Sequence, residues 1–449
     1  MDIREAIRTQ PMRRPQILII AICVLLTMID GYEIIVMPYV VPHLAKGWHL
    51  SPVEIGYLLS ASVLGMALGA IFISPLADRI GRRGQILVCL GLITLGMLLS
   101  ASASSLIELI VWRTFAGIFI GGVIASINVL VSEYCSDRRR GVVMGLYGIG
   151  FPLGSALAGG AIAPLLTAYG WRGPFVFGAA LTLAMLAVVY VALPESVEYL
   201  VDSQSKRQQY ALDQYNRIAH RLGYAPVGAL PPAATQQASH IALKAIFGEH
   251  MLRRTALLWL GYAGMIAAFY FANTWTAKMI ADASGDPALG VRAGMLIMLG
   301  GVLGALSFAA LSVQARPMAV TAAILAGGAL TFVLYASQFQ HVSMALPLAV
   351  FVGLFANGGI AAFYAISPAV YPAIVRGTGV GLMIGFGRSI AVAVPIWTGY
   401  MLARGWTPPL IYQFFGGVLA VAALSVMLLI RTYGREADAE VAALTGSGR

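Results

Sequence analysis

Charge is scarce in this sequence. Only 11% of its 449 residues are Asp, Glu, Lys or Arg, against roughly 25% in an ordinary soluble domain. With 59% of the residues hydrophobic, no water-soluble fold can hide the apolar surface, and disordered, collagen-like and coiled-coil chains are excluded with it. Cysteine is also rare: there are three, an odd number, with Cys23 and Cys89 in apolar runs and Cys135 beside a basic stretch. A disulfide framework is excluded, and all three are read as packing residues. None of the six histidines falls in a predicted span, which rules out an intramembrane histidine relay. No zinc-type Cys/His spacing, phosphate-cradling loop or G-x-S-x-G elbow is present. The chain therefore reads as no enzyme, with no catalytic residues, metal or organic cofactor, and an ion gradient is the energy source left to it.

What is present is apolar length, broken by 50 glycines and 21 prolines, residues that membrane helices use for close packing and kinks. A spanning helix needs about 20 mainly apolar residues. Helices are expected over 16–40, 53–75, 84–103, 106–131, 140–164, 173–193, 253–280, 290–312, 317–336, 343–366, 378–402 and 409–431. The fold class is an all-α membrane protein with twelve transmembrane helices in two six-helix pseudo-repeats. The first apolar run has no small-residue cleavage site and is read as an uncleaved span. Assigned to alternate loops, 22 basic residues lie on the side of the N-terminus and five on the other, with Arg113 and Arg388 inside spans. Both termini and the central loop are therefore expected in the cytoplasm. The net charge of +10 marks topology and not nucleic acid.

The expected organisation is a six-helix bundle over 1–195, a cytoplasmic loop over 196–252 with a surface helix from Glu198 to Leu222, a second bundle over 253–432 and a tail over 433–449. The halves echo each other at a fixed offset of 237 residues: Gly121-Gly122 with Gly358-Gly359, Tyr134 with Tyr371, Gly148 and Gly150 with Gly385 and Gly387. Two such repeats suit a transporter with a central site.

Buried charge points to that site. Asp30 and Glu33 lie three residues apart in the first span, where each carboxyl costs about 2.5–3.5 kcal/mol unless paired or protonated; both are candidate proton-coupling residues, Glu33 nearer the outer surface. Counting helical rise puts Arg113 at the depth of Asp30, so an Asp30–Arg113 ion pair that opens on protonation is expected, with a static packing pair as the alternative. Arg388, near the midplane of the eleventh span, is a candidate partner for an anionic substrate, with Gly385 and Gly387 allowing close approach. Tyr32, Tyr270, Asn273, Trp275, Asn357 and Tyr364 are candidate cavity residues for a flat organic acid; each also reads as an ordinary packing or interface residue.

Ser74-Pro75-Leu76-Ala77-Asp78-Arg79-Ile80-Gly81-Arg82-Arg83 resembles the signature loop of the major facilitator superfamily, G-x-x-x-D-R-x-G-R-R/K, with Ser74 in place of the opening glycine. Arg113-x3-Gly117-x3-Gly121-Gly122 resembles its fourth-helix motif. Together with Asp30-Gly31-Tyr32-Glu33, Asn128-x3-Ser132-Glu133-Tyr134, Arg138-Arg139-Arg140, Pro194-Glu195-Ser196 and Tyr371-Pro372-x3-Arg376-x2-Gly379, these resemble the aromatic acid:proton symporter family. Two departures stand out: Glu33 occupies a position where that family typically carries Asp, and no Pro-Asn pair appears around Gly121 to Asn128. The resemblance implies a monomeric symporter of the bacterial inner membrane, importing a hydroxybenzoate, protocatechuate, gallate or phenylpropionate with protons. It also implies conformational control by Asp78, Arg79, Gly81, Arg82, Arg83, Glu133, Arg138 and Arg376. The competing readings are a sugar, polyol or other organic-anion symporter, a drug:proton antiporter and a non-transporting membrane sensor.

Overall fold

The computed structural model describes residues 2–202, 208–231, 246–371 and 376–445. Twelve long helices dominate them: α1 (Arg14–Trp48), α2 (Pro52–Phe72), α3 (Arg82–Ser102), α4 (Leu106–Tyr134), α5 (Arg140–Tyr169), α6 (Gly173–Ala192), α7 (Glu249–Ser284), α8 (Pro287–Gln314), α9 (Pro317–Gln338), α10 (Val342–Val370), α11 (Arg376–Ala403) and α12 (Pro408–Thr445). Among the described residues, eleven continuous stretches are long and apolar enough to cross a bilayer. One of them, Asp137–Ala192, is 56 residues long and contains both α5 and α6, separated by a 3-10 turn at Gly170–Arg172. Twelve crossings result, as the hydropathy pattern predicts.

Local chemistry sets the helix ends. Ser51 and Glu54 form a reciprocal capping box at the start of α2, with Ser51 N donating to Glu54 Oε2 at 2.8 Å and Glu54 N to Ser51 Oγ at 3.3 Å. The Ser105 side chain caps α4 by accepting from Glu108 N, and Asp286 caps α8 by accepting from Ala288 N. Gly170, at φ 64° and ψ −166°, breaks the chain between α5 and α6 in a conformation that costs a residue with a side chain about 1–3 kcal/mol.

Two boundaries differ from expectation. Helix α1 continues through Pro38 and Pro42 to Trp48, eight residues past its predicted end, and α12 continues to Thr445. The expected single surface helix is resolved into Val197–Asp202 and Gln208–Leu222, with residues 203–207 outside the described set.

The helices form two compact units, Met1–Gly47 with Tyr57–Gln237, and Trp48–Gly56 with Ala238–Arg449. Internally the two repeat one another at the predicted offset. A methyl group at Gly121 would lie 2.2 Å from Met66 O on α2, and one at Gly358 would lie 3.2 Å from Gly304 O on α8. Gly150 presses on Thr27 of α1 and Gly387 on Tyr262 of α7, whereas Gly148 and Gly385 both have open space beside them. In each unit the fourth helix of the repeat packs on the second, and the fifth on the first.

A short helix at Ile3–Thr9, not anticipated from the sequence, buries Ile3, Ala6 and Ile7. Ile3 N donates to Tyr215 Oη at 3.1 Å, and Tyr215 Oη donates to Asp2 Oδ1 at 3.0 Å, so the helix is tied to Gln208–Leu222. Arg13 adds hydrogen bonds to Leu222 O and Gly223 O. Burial pushes the Asp2 carboxyl up, but hydrogen bonds from Arg4 and Tyr215 outweigh it and hold it below its ordinary range. Burial also pushes the Tyr215 phenol up to about 12.

Candidate functional site

In the first unit the sequence-predicted charges meet, with a different partner from the one expected. Arg113 on α4 is fully buried. It donates from Nη2 to the main-chain oxygen of Glu33 at 2.6 Å, from Nε to Ser62 Oγ at 3.1 Å and from Nη1 to Met97 Sδ at 3.0 Å. Its Cζ lies 5.6 Å from the centre of the Phe175 ring. The nearest carboxylate oxygen is Glu33 Oε2, 3.9 Å from Nη1.

Arg113 is therefore on Glu33, and the expected Asp30 pairing is corrected. Glu33 itself is 1% exposed, not near a solvated rim. The longer α1 accounts for this: with the helix running to Trp48, Glu33 lies fifteen residues from its end, where a helix ending at 40 would have left it seven. Thr182 on α6 donates to Glu33 Oε1 at 2.9 Å. Asp30 and Glu33 both line a small cavity between α1, α3, α4 and α6. Four helices thus surround one buried carboxyl, a setting in which its charge state is felt by the packing around it.

Tyr32 is 3% exposed and donates to Pro174 O at 2.6 Å, so its hydroxyl joins α1 to the start of α6. A methyl group at Gly31 would lie 2.4 Å from Phe151 O, and Ser155 Oγ donates to Gly31 O at 2.9 Å. The Asp30 to Glu33 segment is thereby clamped between α5 and α6.

In the second unit Arg388 on α11 is half-buried, and α11 meets α7 one residue before it. Gly387 makes the approach: a methyl group there would lie 2.4 Å from the Tyr262 ring. Tyr364 stands with its ring centre 6.4 Å from that of Tyr262 and is exposed. Tyr270 is partly buried against Phe269.

Trp275 is 1% exposed and donates to Pro395 O, which makes it a strut between α7 and α11 and not a cavity wall. Asn357 is buried, donating to Gly353 O on its own helix and filling the space at Gly301. Asn273 donates to Phe269 O, and its Oδ1 is buried with no hydrogen-bond partner among the described residues.

The signature loop is a third cluster, back in the first unit. Gly81 has φ 88°, and a methyl group there would lie 2.3 Å from Glu195 Oε2. Glu195 Oε1 accepts from Arg83 N at 3.0 Å and Ser196 N at 2.9 Å. Ser196 Oγ donates to Glu133 Oε2 at 2.6 Å, and Tyr134 Oη donates to Glu195 O at 2.6 Å. Tyr199 Oη donates to Arg79 O. Asp78 pairs with Arg82 at 2.9 Å within its own loop. Arg138 is exposed in the turn after α4, and the side chain of Arg376 lies outside the described residues.

Sequence reasoning missed Ser62, Met97, Thr182 and Tyr262. For Thr182 a signal existed: it is the one Ser or Thr in α6. Ser62 and Tyr262 carry none that separates them from their neighbours.

Comparison with known proteins follows this geometry. A family model described as Major Facilitator Superfamily matches residues 20–391. The chain is 29% identical over 428 residues to the gallate transporter of Pseudomonas putida, covering 95% of this chain and 94% of that one. It is 28% identical over 448 residues to the 4-hydroxybenzoate transporter PcaK of the same organism, covering 98% and 97%. Among solved structures, a D-xylose-proton symporter superposes with a TM-score of 0.70 over 91% of this chain and 96% of that one, at 15% identity; that likeness concerns the fold alone.

Proposed function

We propose that this chain, which belongs to the major facilitator superfamily, imports an aromatic carboxylate together with protons by alternating access. The observation that carries the reading is a buried carboxyl and guanidinium, Glu33 and Arg113, in the spanning part of a chain whose relatives named for gallate and 4-hydroxybenzoate align along nearly its whole length. A multi-pass protein of this kind needs no organic cofactor, since the proton gradient drives it. We place it in the bacterial inner membrane with both termini cytoplasmic, on the asymmetry of its basic residues, acting as a monomer.

In this reading Asp30 and Glu33 carry the protons, and Arg388 takes the substrate carboxylate, with Tyr262 and Tyr364 beside it suited to stack on or hydrogen-bond a hydroxylated ring. Arg113 does not let go during the cycle: two of its three donors rest on Ser62 and on a main-chain oxygen, acceptors whose charge does not change. The signature loop, knotted to Glu195, Ser196 and Glu133, is the candidate latch. One proton with one monoanion moves no net charge, and a second makes the cycle electrogenic, worth about 2.3 kcal/mol per charge per 100 mV.

The test is uptake into proteoliposomes under an inward proton gradient of benzoate, 4-hydroxybenzoate, protocatechuate, gallate, a phenylpropionate, muconate and glucose. Gradient-dependent accumulation of a ring acid is the expected result. Accumulation of glucose alone, or of nothing, would overturn the reading.

A further inference from the structure

The C-terminal end of α11 has two opposite faces. Ala391, Val394, Pro395 and Thr398 are buried, and Pro395 O takes the hydrogen bond from Trp275 that joins α11 to α7. Ala393, Trp397, Tyr400 and Arg404 are exposed and follow one another at helical spacing, i, i+4, i+7 and i+11, so they form a stripe on the other side. Counting twelve crossings puts this end on the membrane face opposite the N-terminus. We propose that the groove between this stripe and the start of α12 is a binding site for an anionic diacyl phospholipid of that leaflet, with the phosphate on Arg404 and one acyl chain running inward between the two helices. The site is independent of what the chain transports.

The way α11 ends builds the groove. Trp406 N donates to Met401 O at 3.1 Å and Gly405 N to Leu402 O at 3.0 Å, the paired bonds of a Schellman cap, with Gly405 in the left-handed region at φ 83°. That cap folds Trp406 back towards the last turn. Phe414 of α12 meets both indoles edge-on, its ring centre 5.7 Å from that of Trp397 and 6.0 Å from that of Trp406. Together with Tyr400, Met401 and Arg404 these rings line a cavity of about 400 Å³, a size that takes an organic ligand.

Depth and charge choose the occupant. Trp and Tyr favour the edge of the hydrocarbon, and Arg404 stands about 10 Å beyond Trp397 by helical rise, among the headgroups. On the inward side the groove stays open. Ala393 is exposed with only a methyl side chain, and a methyl group at Gly417 of α12 would meet nothing within 4 Å. Both lie about 5 Å deeper than Trp397 and Phe414, so a chain entering past the rings has a path. Neither α11 nor α12 carries an acidic residue before Glu436. The groove therefore offers a guanidinium to a phosphate but no carboxylate of its own helices to an ammonium, which favours an anionic headgroup over phosphatidylethanolamine. A free inorganic anion would leave the apolar walls uncovered.

The test uses the full-length protein in phosphatidylcholine vesicles containing a trace of phosphatidylglycerol with a photoactivatable acyl chain. Adducts mapped by peptide mass spectrometry are read at residues 393–417 against those on the exposed side of α6. The expected result is adducts concentrated in the groove and competed by unlabelled phosphatidylglycerol at about tenfold lower mole fraction than by phosphatidylethanolamine, the scale of one charge-assisted hydrogen bond. Arg404→Gln should abolish that preference, Arg404→Lys should keep it, and Gly417→Leu, which fills the chain path, should cut the groove adducts. Adducts no denser in the groove than on α6, or a preference that survives Arg404→Gln, would overturn the proposal. Displacement of the lipid by inorganic phosphate or by 4-hydroxybenzoate would overturn it too, assigning the groove to a free anion or to an aromatic acid.

Discussion

Replacing Arg113 probes the centre of the first unit. The guanidinium is buried and makes two hydrogen bonds to oxygen, one to Ser62 Oγ and one to Glu33 O, besides the weaker one to Met97 Sδ. Hydrogen bonds from a charged group contribute about 1.5–3 kcal/mol each. Arg113→Met removes both and also leaves Glu33 without its nearest cation, so a loss of about 3–6 kcal/mol is expected. Arg113→Lys keeps the charge but not the fork that reaches α1 and α2 together, so it should lose one of the two bonds, about 1.5–3 kcal/mol. Thermal unfolding of purified protein in detergent, read against a denaturant series, gives the order wild type, then Lys, then Met. Equal stability of wild type and Arg113→Lys, or an Arg113→Met loss under about 1 kcal/mol, would refute the view that Arg113 fastens α4 to α1 and α2.

Further outcomes follow from single positions. A methyl group at Gly353 would lie 1.7 Å from Ile297 O, whereas nothing lies within 4 Å of one at Gly381; Gly353→Ala should force α8 and α10 apart at a cost of about 1–3 kcal/mol or more, and Gly381→Ala should be neutral or stabilising by about 0.4–1 kcal/mol. Matched unfolding temperatures for these two would contradict the packing. Asp2 has a lowered pKa in the folded state, so its contribution to docking Ile3–Thr9 is present above the unfolded value of about 3.9 and is lost as pH falls through the folded value. Amide exchange over residues 3–9, corrected for intrinsic rates, should increase as pH falls below about 3.9; a flat profile there would remove Asp2 from the docking. Arg388→Gln should weaken binding of an aromatic carboxylate by about tenfold or more, the worth of a charge-assisted hydrogen bond, and unchanged affinity would assign Arg388 to structure.

The twelve helices were readable because hydropathy is a one-dimensional property: an apolar run of spanning length declares itself whatever surrounds it. Repeat positions were readable for a related reason, since Gly150 and Gly387 are small where another helix must come close, and that need recurs with the fold. The partner of Arg113 was not readable. Counting rise along α1 and α4 gives depth but not rotation, and Asp30 and Glu33 differ by three residues, mostly in the direction they face. The end of α1 misled in the same way, because Pro38 and Pro42 read as a stop and the helix runs through them. Trp275 and Asn357 looked like cavity residues because amphipathic side chains serve binding and packing alike; Pro395 O and Gly353 O decide for packing. The helix at Ile3–Thr9 is too short to declare itself without the surface on which it docks.

Proton movement with substrate is the central claim, and the most direct measurement is the external pH of a weakly buffered suspension of de-energised proteoliposomes when 4-hydroxybenzoate or gallate is added. The account predicts a transient alkalinisation with the ring acid, none with glucose, and none with either acid in Asp30→Asn. Entry of labelled acid with no pH change, or with acidification, would contradict it.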